Sequence, residues 1–251
     1  MKRTILLAPK YADCRAFVEH TVERFQTEGE ALHAGRNSIK IFTAPNGGGW
    51  NVKRYRVPDI FSRIVYSFFR DPKGLKAFTY PDKITAAGFE TPAPVAYVED
   101  RRHGLLHYSY FISEQCPYTH RLSEFGDTLV SECEDVLLAF AHFSAGLHHA
   151  GILHLDYSPD NILFDEVNDE WRFSIVDINR MRVSDSVSVE DGCTNFARLW
   201  GQPEWFRFLA RAYAKERNAD PDYCETLVMK ARYRYWKPRA RHNTLPFTLR
   251  F

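Results

Sequence analysis

The feature that most constrains this chain is an ordered set of polar residues in its second half. Residues 154–163 read His-Leu-Asp-Tyr-Ser-Pro-Asp-Asn-Ile-Leu, and Asp177 follows an apolar stretch further along the chain. Asp156 can orient an acceptor hydroxyl, as phosphoryl transfer requires. Asn161 and Asp177 supply the hard oxygen ligands that Mg²⁺ prefers. The set therefore predicts a phosphoryl-transfer site with a divalent cation.

The spacing of this set is more specific than any single member, since a lone Asp-Asn pair in a loop is usually turn chemistry. The interval from Asp156 to Asn161 is that of the protein-kinase catalytic loop, and the second aspartate follows a predicted strand pair, as it does there. His154 is a candidate member of the catalytic set. Its alternative interpretation is a structural, hydrogen-bonded imidazole.

A lysine lies upstream of this set in a predicted β-hairpin. Residues 38–42 alternate as a strand does, residues 45–49 read Pro-Asn-Gly-Gly-Gly, and residues 50–57 form a second strand that carries Lys53. A strand fixes the lysine stem, and the ammonium is a compact charge suited to nucleotide phosphates. The alternative interpretation is an ordinary exposed strand lysine.

The rest of the pattern predicts an α+β chain whose two parts differ in character. The first part is mostly antiparallel strands, with a helix over residues 72–87 and a hairpin over residues 94–113. The second is mostly helical and begins with one or two helices over residues 122–150. The change near the middle predicts an N-terminal lobe of residues 1–115 and a C-terminal lobe of residues 116–251.

A phosphate-covering loop is less regular, because no G-x-G-x-x-G motif is present. Gly35, Arg36 and Asn37 lie between the first two strands of the predicted hairpin region. They are predicted to form a shorter loop in which backbone N–H groups and Arg36 meet phosphate.

Composition excludes several other classes. The chain is 45% hydrophobic and has a formal net charge of +1, so it can form a core and carries no global charge for nucleic acid. The chain has five cysteines, which is an odd number, and no two of them have CxxC spacing. This pattern predicts reduced thiols rather than a disulfide framework or a zinc site. The uncharged stretch over residues 137–155 is predicted as a buried helix, a turn at Gly151 and a short strand.

These residues resemble those of the lipopolysaccharide kinase family, the Kdo kinase-like branch of the protein kinase-like superfamily. The resemblance runs over residues 35–183, and it is carried by Gly35-Arg36-Asn37, Val52-Lys53-Arg54-Tyr55, Thr91-Pro92-Ala93-Pro94, His154-Leu155-Asp156 with Asn161, and Asp177-Ile178-Asn179-Arg180. It implies a two-lobed protein-kinase-like fold, with an antiparallel-sheet N-terminal lobe containing one helix and a small, mostly helical C-terminal lobe.

The resemblance also implies a bacterial ATP-dependent kinase that uses Mg²⁺ and phosphorylates a sugar hydroxyl of the lipopolysaccharide inner core. Its phosphate-holding lysine, catalytic aspartate and two metal ligands would be Lys53, Asp156, Asn161 and Asp177. Glu114 and Cys116 would fall at the hinge, where backbone groups meet adenine. ATP and a glycolipid or sugar acceptor are the implied partners.

Three positions depart from the kinase pattern, of which Leu155 argues against a regulated protein kinase and the other two motivate a pseudokinase alternative. Leu155 stands where protein kinases carry an arginine, Asn179 stands where their metal motif has glycine, and Thr79 falls where a helix glutamate would pair with the strand lysine. One alternative is another small-molecule kinase or an atypical protein kinase. The other is a pseudokinase that serves as a binding or scaffold module.

The C-terminal segment after Glu225 is rich in cations and aromatic residues and contains no Asp or Glu. It predicts peripheral contact with an anionic membrane surface, with a solvated helix face as the alternative. No nucleic acid is expected, because no recognition module accompanies the basic residues. The expected location is the cytoplasm, with contact at the inner face of the inner membrane left open.

Overall fold

The computed structural model describes residues 1–34, 37–240, 245 and 247–250. The chain divides into two compact units, of which one comprises Met1–Thr85 and Thr91–Pro117 and the other comprises Ala86–Glu90 and Tyr118–Phe251. The roles assigned above to the two predicted lobes stay predictions.

The first unit is built on one antiparallel sheet. Its strands are β1 (Lys2–Leu7), β2 (Glu30–Ala34), β3 (Ser38–Thr43), β4 (Gly49–Tyr55), β5 (Pro94–Arg102) and β6 (Leu105–Glu114), and its helices are α1 (Arg15–Glu23), α2 (Ile60–Phe68) and α3 (Lys73–Ala86). The strand order is β1-β5-β6-β4-β3-β2, and each neighbouring pair is antiparallel. The predicted hairpins β3–β4 and β5–β6 are confirmed.

The two faces of this sheet have different surroundings. On one face, Val52 belongs to the same buried cluster as Val18 of α1, and each such side chain contributes about 1.5–3 kcal/mol by leaving water. On the other face, Lys53, Phe111 and Tyr97 are direct cross-strand neighbours and therefore lie side by side. The hydrophobic core thus leaves Lys53 on the opposite side of the sheet from α1.

The helix α3 packs on the same face as Lys53. A Cβ atom at Gly74 would lie 2.8 Å from the ring of Tyr97 and 3.2 Å from that of Tyr55, so the helix approaches the sheet through a glycine. The helix ends two residues before Gly88, whose φ is +86°. The prediction of one helix in this part of the chain accounts for α3 alone, and α1 and α2 are additional helices of this unit.

The second unit is mostly helical, as predicted. Its helices are α4 (Glu134–His149), α5 (Val189–Asn195), α6 (Pro203–Glu216) and α7 (Pro221–Ala240), and its short strands are β7 (His120–Arg121), β8 (Ile152–His154), β9 (Ile162–Val167), β10 (Glu170–Ile175) and β11 (Met181–Val183). The strands pair in the orders β10-β9-β7 and β11-β8. Phe140 of α4 anchors an aromatic core, with ring centroids 5.7 Å from Phe173 and 5.9 Å from Tyr157.

The uncharged stretch forms the end of α4, a turn and β8, as predicted. Gly151 makes the turn with φ +74°, and a Cβ atom there would lie 1.7 Å from the carbonyl oxygen of Ser184. Only glycine fits such a position. Across the part of the chain that the structure describes, no helix is long and apolar enough to cross a membrane. The five cysteines are free thiols, as predicted.

Candidate active site

The loop that follows β8 is bonded to the segment that follows β10. The bonds join His154 Nε2 to the carbonyl of Val176 (3.0 Å), the N–H of Val176 to the carbonyl of Asn161 (2.9 Å), and the N–H of Leu155 to the carbonyl of Arg180 (2.9 Å). The loop carries the predicted catalytic aspartate, Asp156, and the predicted metal ligand Asn161. The structure thus brings both beside the segment that carries Asp177.

His154 lies inside this arrangement and is only 1% exposed. Its Nδ1 accepts the N–H of Asp156 at 3.0 Å, and its Nε2 donates to the carbonyl of Val176. Burial lowers the pKa of His154, which favours the neutral ring that these two bonds require. Both ring nitrogens of His154 are thus engaged within the protein, one of them with the backbone of Asp156. Its place among the catalytic residues stays a prediction.

The chemistry of Asn161 and Asp177 fits Mg²⁺. The amide nitrogen of Asn161 donates to the carbonyl of Asp156 at 2.9 Å, so its amide oxygen is the atom that can ligate a cation. Asp177 offers a carboxylate, and one of its oxygens accepts from the amide of Asn179. Mg²⁺ is commonly held by one or two such oxygen ligands together with substrate phosphates. Among the described residues, no group of three or more His, Cys, Asp or Glu side chains could hold a metal ion without such help.

Asp177 also has an unusual backbone. Its φ is +54°, in the left-handed region that a residue other than glycine seldom adopts. Conformations of this kind cost free energy and concentrate at functional sites. The conformation is consistent with the predicted role of Asp177 as a ligand.

Arg198 is a residue of this site that no sequence pattern indicated. It lies on a single helical turn after α5, and its guanidinium forms an ion pair with Asp156 Oδ1; the two side chains are 30% and 29% exposed. The neighbour of the aspartate in sequence, Leu155, carries no charge. The cation that pairs with Asp156 therefore comes from a distant part of the chain. Residue spacing around Asp156 could not have predicted this ion pair.

Arg198 also lies against α7. Its guanidinium is 5.5 Å from the centroid of the Tyr235 ring, and the guanidinium of Arg239 is 3.6 Å from the same centroid. Guanidinium groups stack well on aromatic faces and bind carboxylate or phosphate. The edge of the site next to Asp156 is thus positively charged.

A chain of side-chain hydrogen bonds supports the end of β8. It runs from Arg217 to Tyr213 Oη (2.6 Å), from Tyr213 to His148 Nδ1 (2.8 Å), from His148 Nε2 to Asn195 Oδ1 (3.3 Å), and from Asn195 Nδ2 to the carbonyl of His154 (2.9 Å). The directions follow because arginine and the amide NH₂ group can only donate. Burial lowers the pKa of His148 to about 4, so its ring stays neutral. The chain connects α4, α5 and α6 to the site.

Lys53 lies on β4 in the interior of the first unit's sheet and is 8% exposed. Its ammonium is 5.5 Å from the centroid of the Tyr55 ring. This burial disfavours the alternative of an ordinary exposed strand lysine. Thr79 of α3 is exposed, and its hydroxyl donates to the carbonyl of Lys76 at 3.3 Å, so this position supplies no carboxylate for the lysine.

The predicted phosphate-covering loop is described only at its end. Gly35 and Arg36 lie outside the described residues. The side-chain oxygen of Asn37 accepts from the N–H of Arg56 at 3.3 Å. This bond ties the start of β3 to the chain just after β4, so Asn37 has a structural contact that the sequence did not indicate.

The predicted hinge residues have partners within the first unit. The N–H of Glu114 donates to the carbonyl of Ala93 at 2.9 Å, so it is engaged by the protein rather than open to adenine. The carboxylate of Glu114 accepts from Lys10 at 2.9 Å and from the hydroxyl of Tyr11, and the bond from Tyr11 is the first cause of a lowered pKa of Glu114. Cys116 is buried.

The fold and the site define a protein of the protein-kinase-like class. A family model described as the lipopolysaccharide kinase (Kdo/WaaP) family matches residues 49–204, which is more than half of the chain. This chain belongs to that family. The resemblance and the α+β kinase-like fold predicted from the sequence are therefore confirmed.

One solved structure agrees with this fold. The chain is similar to a structure described as WaaP in complex with acyl carrier protein, with a TM-score of 0.60 and 17% identity over 93% of this chain and 98% of that one. A Rio2 kinase from Chaetomium thermophilum, solved as an ADP/Mg²⁺-phosphoaspartate complex, aligns with a TM-score of 0.44 and 14% identity over 90% of this chain and 70% of that one. No curated protein matches the sequence.

Proposed function

We propose that this protein transfers the γ-phosphate of ATP to a sugar hydroxyl of the lipopolysaccharide inner core, on an acceptor of the Kdo–lipid A type. The observation that carries the proposal is the bonded arrangement of the loop with Asp156 and Asn161 and the segment with Asp177. Membership of a lipopolysaccharide kinase family supports the class of acceptor.

Each residue has a role in the proposed reaction. Asp156 orients the acceptor hydroxyl and accepts its proton as the new P–O bond forms and the bond to the leaving ADP breaks. Asn161 and Asp177 would hold Mg²⁺, which neutralises phosphate charge when bound. Lys53 binds nucleotide phosphates, and Arg198 holds Asp156 by one carboxylate oxygen.

The positive edge beside Asp156 supports an acidic acceptor. Arg198 and Arg239 share the Tyr235 ring, and two guanidinium groups so close together favour an anion beside them. A sugar acid or phosphorylated sugar would supply that anion. The proposed location is the cytoplasm at the inner face of the inner membrane, where ATP and a glycolipid acceptor meet.

Purified protein incubated with ATP, Mg²⁺ and a Kdo-bearing lipid A precursor tests the proposal. We expect phosphate transfer that depends on the acceptor and is lost in Asp177→Ala. Turnover that persists in this variant would contradict the site. Mg²⁺-dependent ATP binding without transfer would point to another acceptor, to be sought with a panel of small molecules and proteins. Failure of both binding and transfer would favour the scaffold alternative.

A further inference from the structure

The helix α2 presents its apolar side chains to solvent. Ile60, Phe61, Ile64 and Phe68 are 61%, 73%, 40% and 66% exposed, and no residue of this helix is buried. At 3.6 residues per turn these four positions fall within an arc of about 100°. Phe69, which follows the helix, is 81% exposed. They form one contiguous apolar face, called here the α2 face.

The less exposed residues of α2, which include Val65 and Tyr66 beside polar side chains, attach the helix to the sheet. Arg63 Nε donates to the carbonyl of Leu106 at 2.7 Å, and Ser67 Oγ accepts the N–H of Leu106 at 2.9 Å. Arg101 donates to the carbonyl of Ser67 at 3.2 Å. Hydrogen bonds to β5 and β6 thus fix the orientation that turns the α2 face outward. This is the reverse of the usual surface helix, which turns its apolar side to the core.

The start of α2 is well defined by its own sequence. Asp59 has extended backbone and its carboxylate accepts the N–H of Ser62 at 3.0 Å, which is an N-terminal cap. The helix is therefore a formed element and its exposed side chains have a fixed arrangement. Contiguous apolar patches of this kind mark interaction sites.

The sequence in and around α2 is basic. The stretch of residues 56–76 contains five cations against the two carboxylates of Asp59 and Asp71, and the cations are Arg56, Arg63, Arg70, Lys73 and Lys76. The formal net charge of the whole chain is only +1. Large apolar side chains flanked by cations are the pattern of a helix that lies in the surface of an anionic bilayer.

We propose that α2 docks this protein on an anionic lipid bilayer. Phe61 and Phe68 enter the boundary between headgroups and acyl chains, and the exposed side chains of Arg56 and Arg70 contact lipid phosphates. The bilayer is the occupant that matches both the apolar face and its positive border. The inference stands on the surface of the first unit alone and does not depend on the proposed phosphate transfer.

Part of the C-terminal segment, which is predicted from the sequence to contact the membrane, packs within the second unit. Trp236 and Phe247 are each 6% exposed and pack together with ring centroids 5.0 Å apart. Arg232 is 1% exposed and donates to the carbonyl of Gly201 at 2.9 Å. These aromatic and basic side chains are used within the second unit, whereas the apolar side chains of α2 are exposed.

Co-sedimentation of the full chain with vesicles tests the proposal. One set of vesicles contains phosphatidylglycerol with phosphatidylethanolamine, and the other contains phosphatidylcholine alone. The variant is Phe61→Ser with Phe68→Ser. The control is Leu129→Ser with Leu138→Ser, two apolar residues of the second unit that are 65% and 48% exposed. We expect the phenylalanine variant to lose about tenfold or more in partitioning to the anionic vesicles, and the control to bind like the wild type.

The outcomes separate this inference from the proposed function, since sedimentation needs neither ATP nor an acceptor. Equal binding by the wild type and a folded phenylalanine variant would overturn the proposal. A wild type that does not bind anionic vesicles would also overturn it. A dimer that light scattering detects for the wild type but not for the variant would assign the α2 face to a second copy of the chain instead. As an independent readout, Phe61→Trp should add a blue-shifted component to the fluorescence on anionic vesicles only.

Discussion

At the residue scale, Asp156 is held from two sides. Its N–H donates to His154, and its carboxylate pairs with Arg198. The first contact sets the backbone and the second sets the side chain. A carboxylate that must orient an acceptor hydroxyl gains from both, because misplacement by a fraction of an ångström slows transfer.

Arg198→Ala is expected to lower kcat for phosphate transfer about 10- to 100-fold. A hydrogen bond to a charged partner contributes about 1.5–3 kcal/mol, and each 1.36 kcal/mol is a factor of ten in rate. Steady-state kinetics with the lipid acceptor measures the loss. Arg207→Ala, which removes a 50% exposed arginine of α6 that pairs with Glu204 and Glu225, is the control. An unchanged kcat in Arg198→Ala would show that the ion pair does not serve the reaction.

His148 is expected to make stability depend on pH. Its pKa is lowered from 6.5 to about 4 by burial, so the unfolded chain binds a proton in this range and the folded chain does not. Stability is fully present above about pH 6.5 and falls as the pH drops toward 4, by about 3 kcal/mol in all. Urea unfolding of the wild type and of His148→Gln at several pH values measures this. An equally steep decline in the variant would contradict the assignment.

At the element scale, the predictions succeeded where the signals are local. Three of these signals each span only a few residues: the turn at residues 45–49, the glycine after α3, and the alternation in β3 and β4. The hairpins and α3 could therefore be predicted from the sequence. The loop with Asp156 and Asn161 and the later segment with Asp177 could be recognised from their spacing in the sequence.

The α2 helix was not predicted, although the Asp59 cap and the spacing of Ile60, Ile64 and Phe68 are local signals for it. Its exposed apolar face could not be predicted, because spacing alone does not show whether such a face meets the core or the solvent. Arg198 could not be predicted because its ion pair joins positions that only the tertiary fold brings together.

The turn between α4 and β8 can be tested with two glycines that share a backbone conformation. Gly151→Ala is expected to destabilise the protein by about 2–4 kcal/mol, because φ is +74° and the new Cβ would overlap a backbone oxygen. Gly88→Ala has φ +86° but no atom within 4 Å of the new Cβ, so only backbone strain of about 1 kcal/mol applies. Urea unfolding compares them. Similar losses in the two variants would mean that the close approach of Ser184 is unimportant.

At the scale of the whole molecule, the proposed roles are divided between the two units. Lys53 belongs to the first, and Asp156 and Asp177 belong to the second. The departure at Thr79 lies in the first unit, where the ammonium of Lys53 is 5.5 Å from the centroid of the Tyr55 ring. The positions predicted to carry the transfer chemistry, Asp156, Asn161 and Asp177, keep the residues that the kinase pattern requires.

Lys53→Met and Asp156→Ala should therefore fail in different ways. The first is expected to raise the Kd for ATP about tenfold or more, since it removes a cation from the phosphates. The second is expected to abolish transfer while ATP binding stays within about twofold, because the proposed role of Asp156 is to act on the acceptor.

Lys40→Met is the control for the lysine variant. Lys40 lies on the adjacent strand but pairs with Val52, which places its side chain on the opposite face of the sheet. Calorimetry with ATP and Mg²⁺, beside the transfer assay, distinguishes the two effects. Weakened ATP binding in Lys40→Met but not in Lys53→Met would reverse the assignment of the lysine and of the nucleotide-facing side of the sheet.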